Sequence, residues 1–229
     1  MRVPLPLVHN GGNQWGAMSD KHARKMLRQM ESGEPVQLSL SMATMKKLTR
    51  LAFYAQQFGY EYADVRQGGG PDGNGYVLLI VPDPTAEAGT RAERNRAAYP
   101  NAIDGGTLPP LDPEAVELLK ARITFDITAK YTDRQRILLA AAGAVPLAIV
   151  VGFGLGTGAT AVLLTAAAWA AQMAFVPVGL TVNRRYRAKY AALLEAAGFT
   201  PATDPEGRLR YVPPGRELPG QGNPFAVGA

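Results

Sequence analysis

The sequence predicts an α+β protein with a two-helix transmembrane hairpin and a small cytoplasmic helix plus β-hairpin unit before and after it. The first observation is that the 47 residues between Arg136 and Arg184 contain no Asp, Glu, Lys or Arg, although the chain has 24 basic and 19 acidic residues. A bilayer core about 30 Å thick takes roughly 20 helical residues, so this length suits two spans and a short connection. The second is that basic residues flank the apolar segment on both sides.

The N-terminal part of the chain is predicted to be an arm followed by a cytoplasmic α+β domain over residues 19–100. Residues 1–18 are rich in Gly, Pro and Asn, which is typical of a flexible arm, and they lack the continuous apolar core of a signal peptide. Helical spacing of apolar residues predicts helices over 19–33 and 42–58. Strict alternation between them predicts a short strand over 36–40.

The second half of this domain has the pattern of a β-hairpin followed by a helix. Strands are predicted over 60–66 and 76–81, joined by a run of Gly, Pro, Asp and Asn, and a polar helix is predicted over 84–98. Alternation along the second strand indicates the face that the helix from Met42 is expected to cover. That face would carry Val77, Leu79 and Val81.

A linker over residues 101–111 is predicted to lead into a juxtamembrane helix over 112–136. Asp112-Pro113-Glu114 has the order of an N-cap, a proline at the first helical position and an acidic first turn. The segment from Ile123 to Thr128 alternates and is rich in β-branched residues, so a strand stays open there. The helical pattern on both sides favours helix.

The apolar segment is predicted to form a transmembrane helical hairpin over residues 137–182, with its turn near 152–158, where glycine recurs at every second position. A dinucleotide-binding fold is the first rival, because Gly154, Gly156 and neighbouring residues resemble a phosphate-binding turn. That site needs an acidic residue about 20 positions later, and the next carboxylate is Glu195. A buried hairpin in a soluble protein is the second rival, but a chain of 229 residues has little material to cover two such helices.

Positive charges orient the predicted hairpin. Cytoplasmic loops carry an excess of Lys and Arg, so both termini are expected on the cytoplasmic side of a cell inner membrane. The flanking cations are also expected to contact anionic lipid headgroups, each worth about 1 kcal/mol near the surface. These residues are Lys130, Arg134, Arg136, Arg184, Arg185, Arg187 and Lys189.

Two features inside the predicted membrane region indicate helix contacts. Gln172 and Pro146 would lie at similar depth, and the Gln172 amide is expected to approach backbone carbonyls that the proline leaves without a donor. Alternatively, Gln172 faces another copy of the hairpin. Small residues four positions apart also leave homo-oligomerisation through these helix faces open. They are Ala140 with Ala144, Gly152 with Gly156, and Ala167 with Ala171.

The C-terminal part is predicted to be a cytoplasmic basic helix plus β-hairpin over residues 183–212, followed by a disordered tail over 213–229 that holds four prolines and four glycines. The order of its parts is helix, Gly198, Phe199, turn and strand. The same order occurs around Gly59, where a helix precedes Gly59 and Tyr60, and a turn and a strand follow. Whether the two hairpins join one sheet is left open by the sequence.

The residue inventory predicts no catalytic chemistry. The chain has no cysteine, which excludes disulfides, thiolate metal sites and cysteine nucleophiles. It has only two histidines, which makes a metal enzyme an unfavoured interpretation. No phosphate-binding loop, nucleophile elbow or acidic pair is present. We therefore expect no enzyme activity, no cofactor, and no catalytic, cofactor-binding or metal residues. Arginine outnumbers lysine 17 to 7, a bias that suits a bacterial source.

Two functions follow as expectations. The first is a non-enzymatic integral membrane anchor or adaptor that presents its cytoplasmic α+β regions to a protein partner. The alternative is a membrane-tethered nucleic-acid-binding protein, because residues 19–82 have the element order helix, strand, helix, hairpin of a winged helix. In that alternative the nucleic-acid contacts are Lys46, Lys47 and Arg50 on the second helix.

Overall fold

A computed structural model describes residues 13–41, 43–69, 75–131, 134–143 and 158–215. These residues form two compact units. Unit 1 contains the described residues up to Ile123, and unit 2 contains those from Thr124 onwards.

Unit 1 is an antiparallel three-stranded sheet packed with helices. The strand order is β1-β3-β2, and helix α2 contacts both strands of the hairpin as well as α1 and α3. The elements are α1 (Asn13–Met30), β1 (Val36–Leu40), α2 (Met45–Gln57), β2 (Tyr60–Gly69), β3 (Gly75–Pro82), α3 (Ala86–Ala98) and the start of α4 (Pro113–Ala129).

Local sequence signals explain where these helices start and stop. The Thr44 and Thr85 hydroxyls cap α2 and α3, each accepting a backbone N–H at 3.3 Å, because the first turn of a helix leaves its donors unsatisfied. The Asp112 carboxylate accepts the N–H of Glu114 at 3.1 Å just before α4. Gly59, between α2 and β2, has φ +90, a conformation that only glycine adopts without strain.

Both faces of β3 contribute buried residues, whereas the prediction placed Val77, Leu79 and Val81 together on one covered face. Val36, Leu38 and Leu40 are buried on β1 and pair with Ile80, Leu78 and Tyr76, so the even-numbered residues of β3 share the apolar face. Val77 and Val81, predicted to be in the core, are only partly buried, whereas Leu79 is 1% exposed on the opposite face. Burial thus agrees with the prediction at Leu79 and differs from it at Val77 and Val81. Every residue from Val77 to Val81 is apolar, and period-two alternation cannot then select a single face.

The N-terminal boundary also differs from the prediction. Helix α1 begins at Asn13, so residues 13–18 are helical and do not belong to a flexible arm; residues 1–12 lie outside the described part. The predicted linker at 101–111 is partly anchored: Ala102 is 2% exposed, and the Gly106 N–H donates to the Asn101 carbonyl at 2.7 Å.

Unit 2 contains the end of α4, a helical segment α5 over residues 134–143, and four further elements. They are α6 (Ala159–Ala174), α7 (Val176–Ala196), β4 (Thr200–Thr203) and β5 (Leu209–Val212). The segment from Ile123 to Thr128 is helical, as preferred over a strand. The strands β4 and β5 form a two-stranded sheet of their own, so the described hairpins belong to two separate sheets.

Helices α6 and α7 are separated by a single residue. Phe175 keeps right-handed helical dihedrals of φ −80 and ψ −16, and Pro177 explains the irregularity because it has no N–H to donate back along the helix. The Phe175 N–H donates instead to the Gln172 carbonyl at 3.2 Å. The two helices therefore run on as one helical rod, which is apolar up to Val182.

The end of α7 is a glycine-based cap. Gly198 has φ +83, its N–H donates to the Glu195 carbonyl at 2.9 Å, and the Phe199 N–H donates to the Leu194 carbonyl at 3.0 Å. This pair of bonds is the Schellman arrangement, which satisfies the last carbonyls of a helix. It turns the chain directly into β4.

Candidate membrane anchor and its basic end

Of the residues that the structure describes, one helix is long and apolar enough, by length and composition, to cross a membrane. It extends from Val162 to Ala196, 35 residues, and none of its most apolar stretch is buried. At 1.5 Å per residue it is about 52 Å long, well beyond the roughly 30 Å of a bilayer core.

The surface of this helix exposes large apolar side chains. Leu163 is 70% exposed and Phe175 is 72% exposed, values that are typical of charged residues in a soluble protein. A contiguous apolar surface of this kind marks a contact with lipid or with another protein. The exposed large side chains along it are Val162, Leu163, Leu164, Trp169, Phe175, Val178 and Val182.

The first predicted span, residues 137–154, is described only at its start. Residues 137–143 are helical, and Ile137, Leu138 and Leu139 are 44%, 68% and 55% exposed. Residues 144–154 lie outside the described part, as does the predicted turn apart from Gly158. The described residues thus contain a single candidate span, and the two-helix hairpin stays a prediction.

The predicted contact inside the membrane is also open. Gln172 lies on an exposed face of α6, while Met173, Val176 and Leu180 are less exposed and share a different face of the rod. Pro146 lies outside the described residues. The approach of Gln172 to the first span, or to another copy, therefore stays a prediction.

The basic end of α7 begins where the exposed apolar surface stops. Arg184, Arg185 and Lys189 are exposed, as contact with headgroups requires. Arg187 is partly buried, and its guanidinium carbon lies 5.5 Å from the centroid of the Phe125 ring. Three of the four cations predicted on this flank are thus open to solvent, and Arg187 packs against α4 within unit 2.

The basic flank before the apolar segment also contains both an exposed cation and cations that contact other residues of the protein. Arg134 is exposed, whereas Arg136 of α5 donates to the backbone carbonyls of Thr128 and, at 3.1 Å, Tyr131. An arginine at that position satisfies carbonyls that the end of α4 leaves without donors. The Lys130 ammonium lies 5.3 Å from the centroid of the Tyr131 ring.

Sequence reasoning missed a cluster of polar and aromatic side chains in unit 2. The Arg210 guanidinium donates to the Asp126 carboxylate at 2.9 Å, with side chains 9% and 2% exposed. Tyr211 meets the Phe125 ring edge-on at 4.8 Å and donates its hydroxyl to Glu195 at 2.5 Å. We call this the unit 2 cluster; it comprises Phe125, Asp126, Arg187, Glu195, Arg210 and Tyr211.

The unit 2 cluster fixes the basic end of α7 against α4 and β5. No spacing signal could have revealed it, because Asp126 and Arg210 are 84 residues apart in the sequence. A second missed feature is aromatic: Tyr186 is 53% exposed beside the exposed arginines, and its ring lies 6.3 Å from that of Tyr190. Tyrosine is enriched where membrane helices leave the bilayer, which was a usable signal.

Tyr211 should make the stability of unit 2 dependent on pH in the alkaline range. Burial of the phenol, and then its hydrogen bond to the negatively charged Glu195, raise the pKa of Tyr211 from 10.0 to about 12, with Arg187 opposing the shift. Because the pKa in the folded state lies above the ordinary value, the neutral phenol contributes its full stabilisation below pH 10, and that contribution is lost as the pH rises towards 12.

The measurement is the absorbance of tyrosinate during an alkaline titration of the full chain, followed together with thermal unfolding. The Tyr211→Phe variant should lack one late-titrating phenol and should lose less stability above pH 10 than the natural chain. Tyr186→Phe, at an exposed tyrosine, is the control and should keep the late phenol. Identical titrations of Tyr211→Phe and the natural chain would contradict the assignment.

The residues of the nucleic-acid alternative lie at the start of α2. Lys46 is exposed, whereas Lys47 and Arg50 are partly buried. Burial lowers the pKa of Lys47, and the Arg50 guanidinium donates to the Tyr54 hydroxyl at 3.5 Å.

The remainder of α2 does not present a free face. Five consecutive residues, 51–55, are buried between the neighbouring helices and the sheet. A helix-turn-helix also needs two helices joined by a short turn, and α1 and α2 are separated by strand β1. These features give the alternative less support than the anchor.

Within the described ranges, no group of three or more His, Cys, Asp or Glu side chains could hold a metal ion. The chain matches no protein-family model, no curated protein and no solved structure.

Proposed function

We propose that the chain is a non-enzymatic integral membrane anchor or adaptor. A two-helix hairpin holds it in the inner membrane, and its cytoplasmic α+β regions are presented to a protein partner. The observation that supports this most directly is the uncovered apolar surface of the α6 and α7 rod, which continues without a loop into an exposed basic end.

The position of the charges matches the thickness of a bilayer. Arg184 lies 22 residues beyond Val162, about 33 Å along the helix, so the first charge stands where a core of about 30 Å would end. The remaining residues to Ala196 project beyond the core and lead into the unit 2 cluster and the β4 and β5 hairpin. The exposed Tyr186 is then at headgroup level, where tyrosine is favoured.

Transfer of the apolar side chains from water to lipid supplies the energy for anchorage. A large aliphatic or aromatic side chain gains about 1.5–3 kcal/mol when it leaves water. The seven exposed side chains on the rod therefore favour lipid by on the order of 10 kcal/mol, since each is exposed now and would be covered by acyl chains.

The absence of cysteine makes the topology testable by labelling. We expect Gly154→Cys, in the predicted turn, to react with a membrane-impermeant maleimide in intact bacterial cells. Pro100→Cys and Thr203→Cys should react only after the inner membrane is permeabilised. The unmodified chain is the control for background labelling, and reaction of either cytoplasmic position in intact cells would contradict the proposed orientation.

The adaptor part of the proposal needs a separate experiment. A photo-crosslinking residue placed at exposed positions of unit 1, such as Arg94 on α3, should give a discrete protein adduct in intact cells. A matched set of positions on buried faces, such as Ala92, reports non-specific reaction. If no exposed position of unit 1 yields an adduct, the chain anchors itself without a partner and the adaptor role is excluded.

A further inference from the structure

Helix α1 carries a basic face that neither proposed role of the chain uses. Lys21, Arg24, Lys25 and Arg28 recur at spacings of three and four, so they lie on one side of the helix. With Gln29 they line an open concavity of 380 Å³, and none of the described residues that line it is acidic. The opposite face is fixed in the core of unit 1 by Ala23, Met26, Leu27 and Met30.

The Arg24 guanidinium lies close to a glycine of the 104–106 loop. Gly105 has φ +107, and a Cβ at that position would stand 2.9 Å from Nη1 of Arg24. The 104–106 loop therefore lies directly against the guanidinium, and a side chain at residue 105 would strain the backbone and press on Arg24. The Nε of Arg24 is buried and has no hydrogen-bond partner in the described structure, which leaves a donor unsatisfied at this site.

The four cations repel one another. Lys21 with Lys25 and Arg24 with Arg28 are like-charge pairs four residues apart, an arrangement that destabilises a helix. The one ion pair to this face among the described residues joins Arg28 to Asp104 at 3.8 Å, with both side chains more than half exposed, and such pairs contribute little. A bound anion would relieve this repulsion.

We propose that the basic concavity on α1 binds a phosphate group. Guanidinium groups hold phosphate through paired charge-assisted hydrogen bonds, and lysines add compact positive charge. The volume suits a headgroup-sized ligand and lies at the small end of the range for ligand pockets. The phosphate belongs either to the headgroup of an anionic phospholipid or to a free phosphorylated molecule. The site itself does not depend on the membrane anchor proposed above.

The test uses the full chain in nanodiscs of zwitterionic lipid, titrated calorimetrically with inorganic phosphate and with a short-chain, water-soluble phosphatidic acid. We expect binding that weakens as salt is raised. Arg24→Gln should weaken it about tenfold or more, the equivalent of about 1.4 kcal/mol. Arg94→Gln removes the same charge from an exposed position on α3 and is the matched control, for which unchanged affinity is expected.

Gly105→Ala distinguishes a specific phosphate site around Arg24 from binding through the general positive charge of the α1 surface. It removes no cation but displaces Arg24, so it should also weaken binding, with circular dichroism confirming that the helices and sheet persist. Tighter binding of phosphatidic acid than of phosphate assigns the site to a headgroup, and equal binding assigns it to a free phosphate. The proposal is overturned if neither ligand binds at low salt, if Arg24→Gln and Arg94→Gln weaken binding equally, or if duplex DNA binds this face without competition from phosphate.

Discussion

Replacing Leu79 by aspartate is expected to unfold unit 1. Leu79 is 1% exposed at the centre of β3 and pairs directly with Asp64 on β2, which is itself 3% exposed. The substitution would remove a buried leucine side chain, worth about 2–5 kcal/mol, and would place a second carboxylate opposite the first. Together with the cost of burying a charge, the loss approaches the 5–15 kcal/mol that stabilises a typical domain.

Val77→Asp is the matched control, since it makes the same kind of change two residues away on the same face of the same strand. Val77 is partly exposed and pairs with Arg66, so its replacement places a carboxylate opposite a cation. We expect hydrogen exchange of the β1-β3-β2 amides to rise to the unprotected rate in Leu79→Asp and to change little in Val77→Asp. Equal protection in the two variants would show that burial on this face is misassigned.

Replacing Asp126 by asparagine should release the β4 and β5 hairpin from α4. The change removes the carboxylate charge that Arg210 contacts at 2.9 Å with both side chains almost fully buried, and removing one partner of a buried pair costs about 3–5 kcal/mol. Amide exchange over residues 199–212 should therefore accelerate by about 100-fold or more.

Two comparisons make this result specific to the buried pair. Glu117→Gln removes the acidic partner of the Lys120–Glu117 pair, whose side chains are 41% and 64% exposed, and it should alter stability by less than about 1 kcal/mol. Replacing Asp126 and Arg210 together by leucine and methionine should restore most of the protection, because no isolated charge is then buried. If the amides of the β4 and β5 hairpin still exchange rapidly in that double variant, the Asp126–Arg210 pair stabilises the hairpin through its shape rather than through its charges.

Local signals in the sequence predicted the elements well. Thr85, Asp112 and Gly198 sit where the helices begin or end, because capping needs only neighbouring residues. The buried residues of β3 were predicted only in part, at Leu79, since burial of Leu78 and Ile80 depends on pairing with β1, forty residues earlier in the chain. Pairing register is a tertiary property that a wholly apolar strand does not encode.

The candidate site was predictable in outline only. The absence of charge over the apolar segment and the basic flanks are compositional, so the sequence alone was enough to find them. The different contacts of the cations were not predictable from composition. Arg136 donates to backbone carbonyls and Arg187 lies over the Phe125 ring, while Arg184 and Arg185 are exposed. These differences arise from contacts between residues far apart in sequence, which spacing does not record.

The continuity of α7 has a mechanical consequence. From Val176 to Ala196 the helix has no flexible joint, and the unit 2 cluster clamps its far end to α4 and β5. A rigid helix of this length is about 31 Å long, so a change of about 10° in its tilt would move the far end by about 5 Å. Tilting is one way in which a long apolar helix adapts to a thinner bilayer, so in the proposed anchor a change in membrane thickness would be converted into a displacement of the unit 2 cluster.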